Sequence, residues 1–156
     1  MKKKEKHSVA IIIWNKNRDK VLLVQRPLDD DSLPGHWGFP AASKKDLNDK
    51  WELYSHKAAE TKLGVKVKII KLLGEDTVDR GKFILRLRDY EVEIIDGEPS
   101  VHQPIKGVTQ YIKMEYTDDL RRIIESAKNK SLCTRIFLNS IGVDYKNPKR
   151  HKIKDS

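Results

Sequence analysis

Lys50-Trp51-Glu52-Leu53-Tyr54-Ser55-His56-Lys57-Ala58-Ala59-Glu60-Thr61-Lys62-Leu63-Gly64-Val65 lies near the middle of a chain of 156 residues. Trp51, Tyr54, Ala58, Ala59 and Leu63 recur at helical spacing, which predicts a helix with one apolar face. Gly64 is the expected terminator, because a helix end commonly needs one residue in the left-handed conformation. Loop precedes this helix, and the stretch after it reads as strand.

Upstream, Val9 to Trp14 is a continuous β-branched run of the kind found in strands buried on both faces. Asn15 to Lys20 is a polar turn, and Val21-Leu22-Leu23-Val24-Gln25-Arg26 is a second strand, so the two are expected to form a hairpin. An acidic loop with Asp29, Asp30 and Asp31 leads to His36-Trp37-Gly38-Phe39-Pro40, a short aromatic strand stopped by proline. Residues 43–50 are loop. Downstream, 65–73 and 82–95 read as strands, 97–107 as loop and 108–114 as strand. Helices are expected over 118–128 and 131–141. Strands and helices interleaved in this order predict an α/β (α+β) domain, a mixed sheet with helices on its faces.

Size and charge bound the rest. At 18.1 kDa the chain has the mass of one domain. No apolar stretch approaches the roughly 18 residues that span a bilayer, so no membrane association by a spanning helix is expected. The apolar run behind the basic start is also too short for a signal peptide. A single cysteine, Cys133, excludes an internal disulfide and a thiolate zinc site, and suits a reducing compartment, the cytoplasm. Within its helix Cys133 reads as a buried small apolar residue.

The net charge is +9, and most of it falls at the ends: residues 1 to 6 hold four Lys against one Glu, and residues 146 to 156 hold five cations against one Asp. The expected organisation is a basic N-terminal tail over 1–7, a folded domain over 8–142, and a basic, disordered C-terminal tail over 143–156. The tails could draw RNA by long-range field, but a body with so little excess charge argues against a basic groove.

The hairpin ending at Arg26, the Trp37-Gly38-Phe39-Pro40 strand, the central helix and Leu63-Gly64-Val65 together resemble a Nudix (MutT-like) hydrolase domain over roughly 8–142. The resemblance implies an α/β/α sandwich around a mixed sheet. It also implies hydrolysis of nucleoside diphosphate-linked pyrophosphates with Mg²⁺ or Mn²⁺, which glutamates at the helix end would hold. Aligned on Gly64 and Val65, the arginine of the family motif is Lys57, and its three glutamates are Ala58, Thr61 and Lys62. The earlier glutamate falls near Asp49. The box is thus degenerate, and a catalytically silent nucleotide- or metabolite-binding domain, or a partner-interaction module, stands beside the hydrolase. For catalysis the candidates are Glu60 and Asp49, and for metal Asp49, Glu52 and Glu60.

Glu52, His56 and Glu60 share a helical face, but counting 100° per residue turns Glu60 away from the side facing substrate. Solvated surface is the plainer reading of that stripe, and likewise of the carboxylates at Asp29 to Asp31 and in Gly74-Glu75-Asp76. Lys62 can pair with a phosphate directly. Candidate substrate-binding residues are Arg26, Trp37, Phe39, Lys57 and Lys62, with Gln110 and Tyr111 entering a late strand nearby. The partner expected is a nucleotide-derived small molecule. A homodimer is compatible with the pattern.

Overall fold

A computed structural model of the chain describes residues 3–30, 33–103 and 111–154. Among the described residues there are seven strands and three helices: β1 Lys4–Ile13, β2 Val21–Gln25, β3 Trp37–Gly38, β4 Ala41–Ser43, α1 Trp51–Ala58, β5 Lys66–Asp79, β6 Phe83–Asp96, β7 Lys113–Thr117, α2 Arg121–Lys128 and α3 Leu132–Ser140. A π-helical turn, Ala59–Leu63, continues α1. One sheet runs β4-β1-β6-β5, with β1 and β6 parallel and the other neighbours antiparallel; the second runs β3-β2-β7, all antiparallel.

Alternation along the central strands builds two cores. Val9, Ile11, Ile13, Leu22 and Val24 pack with Tyr54, Ala58, Ala59 and Leu63 of the α1 segment. Ala10, Ile12, Val21 and Leu23 pack on the other side with α2 and α3 through Leu120, Ile123, Leu132 and Phe137. A strand sandwiched in this way needs apolar residues on both faces, which is why 9–13 and 21–24 are continuous apolar runs. The architecture is the expected α/β/α sandwich, around one mixed and one antiparallel sheet.

The expected hairpin of β1 and β2 does not form. The turn itself is tight: the Asn15 side-chain oxygen accepts from the Asp19 and Lys20 amides, and Arg18 adopts φ 55°. Only Trp14 and Val21 bridge, after which β1 and β2 diverge into separate sheets. Each strand is buried on both faces and takes its own partners, so neither is left to pair with the other.

Strand β5 runs six residues beyond the expected 65–73. Gly74-Glu75-Asp76 is strand rather than surface turn, because Arg86 and Arg88 on β6 both donate to the Glu75 carboxylate at 2.8 Å. Cross-strand charge pairs of this kind hold a polar stretch in a sheet.

Neither terminal segment is a tail. Lys4 to His7 continue β1 and pair with Phe83 to Arg86. Glu5 accepts from Arg86 at 2.7 Å, and the His7 ring stacks on Trp51 with centroids 4.5 Å apart. Trp51 also takes the Lys44 ammonium and the Arg88 guanidinium over its ring, at 4.3 and 4.4 Å. One aromatic side chain therefore anchors the start of α1 and the start of the chain together.

At the other end, the Ile153 amide donates to Asp118, the Leu120 amide donates to the His151 carbonyl, and Val143 and Ile153 are buried against α2 and α3. Two buried apolar residues suffice to dock a segment that its charge alone would leave in solvent. An RNA-binding reading based on free basic ends loses that support. The late strand expected over 108–114 is β7 from Lys113 to Thr117, and residues 104–110, Gln110 included, lie outside the described residues. No helix among the described residues is long and apolar enough to cross a membrane.

Candidate functional site

The end of α1 is unusual locally. From Ala59 to Leu63 the backbone widens into a π turn, and Gly64 closes it at φ 70°. The Gly64 and Val65 amides return to the Glu60 and Ala59 carbonyls. Only glycine suits position 64: its φ is left-handed, and a Cβ there would approach the Gln103 side chain to 2.8 Å. Thr61 turns its hydroxyl back onto the Lys57 carbonyl at 2.7 Å. π turns recur at functional sites because they push side chains out of the regular helical register.

That turn forms one wall of a cavity of about 740 Å³. Lys57, Glu60, Thr61 and Lys62 come from the helix end, Arg26 from the end of β2, and Trp37 and Phe39 from β3 and the residues after it. Arg80 enters from the tip of the β5–β6 hairpin, and Ser131, Leu132 and Cys133 from the start of α3. The structure thus gathers Arg26, Trp37, Phe39, Lys57 and Lys62, five candidates spread over thirty-seven positions of sequence, around one space.

Their environments differ. Arg26 is steered by Asp30, whose carboxylate oxygens lie 3.1 and 3.2 Å from its Nη1. Of the acidic loop, Asp30 contributes through this ion pair, and Asp31 lies outside the described residues. Trp37 is half-buried, lines the cavity and carries the Arg122 guanidinium 4.0 Å from its ring centre. Phe39 is only 3% exposed and packs on Phe137 at 5.0 Å, so it serves the core and shows the cavity little of its ring.

Tyr111, buried beneath, donates no charge: burial pushes its phenol up to about 12, and its oxygen accepts from the Ala41 amide. The Lys62 ammonium lies 5.3 Å from the Tyr111 ring centre. Burial, and then the like charge of Arg26, lower the Lys62 pKa to about 8.

Among the described residues that line the cavity, Glu60 is the sole carboxylate, alongside Arg26, Lys45, Lys57, Lys62 and Arg80. Counting helical angles places Glu60 away from the side expected to face substrate, yet Glu60 is among the residues that line the cavity. Ala58 is the residue that points away, at 0% exposure in the core, and the π turn beginning at Ala59 carries Glu60 round to the cavity.

The other candidates for metal or catalysis lie elsewhere. Asp49 accepts the Tyr54 hydroxyl at 2.7 Å, and that bond, with burial, raises the Tyr54 phenol. Glu52 receives only a long contact from the Tyr90 hydroxyl at 3.4 Å. Neither lines the cavity, and no three His, Cys, Asp or Glu side chains among the described residues come close enough to hold a metal ion. A hard divalent ion asks for several carboxylate oxygens. One glutamate among lysines and arginines does not fit it.

Three features were missed from sequence. Lys45 and Arg80 are brought in by a loop and by a hairpin tip, and nothing in their spacing marks them. Cys133 is half-buried at the cavity wall, with its thiol raised by burial and by the charge of Asp89 nearby. Asp89 itself is 0% exposed, and neither of its carboxylate oxygens has a hydrogen-bond partner. Burial drives its pKa well up, towards a neutral acid.

The fold is a sandwich of helices around a mixed and an antiparallel sheet, with a cationic cavity at the end of its first helix. Among solved structures, the chain is similar in fold to a MutT protein from Methanosarcina mazei Go1, with a TM-score of 0.64 at 13% identity over 89% of this chain and 97% of that one. It is also similar to a MutT NUDIX hydrolase from Burkholderia pseudomallei, at 0.59 and 20% over 72% and 82%. An ADP-ribose pyrophosphatase from Streptococcus suis 89-1591 matches at 0.50 and 16% over 71% and 72%. No family model and no curated protein matches the chain by sequence. The domain is Nudix-like in fold.

Proposed function

We propose that this Nudix-like domain binds a nucleotide-derived diphosphate in the cavity at the end of α1. The observation that carries the reading is the cavity wall, where Arg26, Lys45, Lys57, Lys62 and Arg80 stand against Glu60 alone. Cations in a recess exchange water for phosphate oxygens at a far better return than on an open surface, and a guanidinium can take two oxygens at once. Trp37 adds a half-buried aromatic face on which a base can stack. About 740 Å³ suits a ligand of nucleotide size. Binding without turnover is the primary reading, since the donors that would hold an ion and activate water are not assembled.

Hydrolysis is the second reading, favoured by one specific feature: Glu60 reaches the cavity, where a carboxylate could serve as general base. One experiment separates them. ADP, UDP, ADP-ribose and UDP-glucose are titrated by calorimetry, and the same mixtures are assayed for released phosphate or nucleotide with Mg²⁺ or Mn²⁺. Saturable binding with no product is expected. Metal-dependent turnover abolished by Glu60→Gln would establish the hydrolase instead, and no binding by any of the four would end both readings.

A further inference from the structure

The positions that the family resemblance assigns to metal-holding glutamates are Ala58, Thr61 and Lys62, and the structure gives each a definite fate. Ala58 is in the core. Thr61 spends its hydroxyl on the Lys57 carbonyl. Lys62 faces the cavity, beside Lys57 and within electrostatic reach of Arg26. Glu60 lines the same cavity, and Asp30 forms an ion pair with Arg26. A divalent ion entering this wall meets like charge from the helix end and from β2. A diphosphate meets the opposite.

We propose that Lys62, flanked by Lys57 and Arg26, occupies the place of the divalent ion, so that the cavity takes the diphosphate group without metal. This rests on the diphosphate-binding reading above. A fixed ammonium supplies the counter-charge an ion would bring, but as a donor anchored to the helix and with no coordinated water to activate. A wall bearing Arg26, Lys57 and Lys62 suits a trivalent or tetravalent diphosphate better than a monoanion.

Calorimetric titration of the full chain with inorganic pyrophosphate and with ADP, each in EDTA and in millimolar Mg²⁺, tests this. Binding in EDTA is expected to equal or exceed binding in Mg²⁺, because the ion competes for the ligand. Lys62→Gln should weaken binding in EDTA by about 10- to 100-fold, the range of one lost charge-assisted contact. Its far-UV circular dichroism and unfolding temperature show whether the fold is retained. Lys62→Glu should bind poorly in EDTA and regain affinity when Mg²⁺ is added.

Wild-type binding that requires Mg²⁺ overturns the proposal while leaving the diphosphate reading intact. So does a folded Lys62→Gln protein with unchanged affinity in EDTA, or a Lys62→Glu protein that Mg²⁺ does not help. Failure of both ligands to bind under either condition overturns the diphosphate reading and this inference with it.

Discussion

The two sides of the α1 segment follow different rules. On the inner side Tyr54, Ala58, Ala59 and Leu63 are almost wholly buried among β1 and β2, and they keep the pattern a Nudix-like frame requires. On the cavity side Lys57, Glu60, Thr61 and Lys62 keep the position but not the charge that a metal-holding helix end would carry. Packing tolerates little change in volume, whereas a solvent-lined wall can reverse its electrostatics without disturbing the fold. Fold and chemistry are thus separable on opposite faces of one helix.

The largest test of that separation is Leu63→Ala. Leu63 is 0% exposed, the last residue of the π turn, and its carbonyl accepts the Ser100 amide. Truncating it should cost about 2–5 kcal/mol in denaturant unfolding, the range for a buried leucine. In the fraction that remains folded, ADP affinity should hold within about threefold, since an effect under 1 kcal/mol is what a residue outside the ligand shell delivers. Collapse of affinity in fully folded protein would show that the two faces are coupled.

Asp89 sharpens the comparison from the sheet. There the packed interior holds a charge-bearing group that it does not satisfy, between Ala10 on β1 and Gly74 on β5. Its folded pKa lies well above the ordinary carboxylate value, so the folded state holds its proton more tightly than the unfolded chain does. The stability it contributes is therefore full below the unfolded pKa of about 4 and is lost as pH rises towards the folded value, by up to about 1.4 kcal/mol per pH unit. Asp89→Asn should remove that decline. Unfolding free energies measured from pH 4 to pH 8 should show the variant gaining steadily on the wild type, and parallel curves would disprove the assignment.

The parts of this molecule readable in sequence are those governed by local pattern. The apolar runs at 9–13 and 21–24, the helical spacing from Trp51 to Leu63 and the glycine at 64 each encode their own element. What was not readable depends on residues far away. Strands β1 and β2 read as a hairpin because the turn between them is sound, and only the partners β6 and β7 reveal that they part. The basic ends read as tails because Trp51, Val143 and Ile153 cannot be seen to hold them from their own neighbourhoods. In the site, Arg26, Lys57 and Lys62 carried enough of a familiar frame to be found, while Arg80 and Lys45 did not. Glu60 was misplaced because an ideal helix was assumed where a π turn shifts the register.

The smallest effect concerns the cavity face alone. Lys62 has its pKa lowered to about 8 by burial and by Arg26, so in the free protein it begins to lose its charge within an accessible range. ADP keeps its three phosphate charges from pH 7 upwards, because its last phosphate proton leaves near pH 6. Tyr111, pushed up to about 12, stays neutral over this range. If the anion binds the ammonium form, affinity should be flat to about pH 8 and then fall, at most tenfold per unit, as each binding event must first restore one proton. Lys62→Gln supplies the baseline: whatever slope it retains belongs to other groups on the wall, and the difference between the two curves is the lysine's own. Identical slopes in wild type and variant would mean that the diphosphate does not touch Lys62, and would leave the cavity face as indifferent to charge as the core face is to solvent.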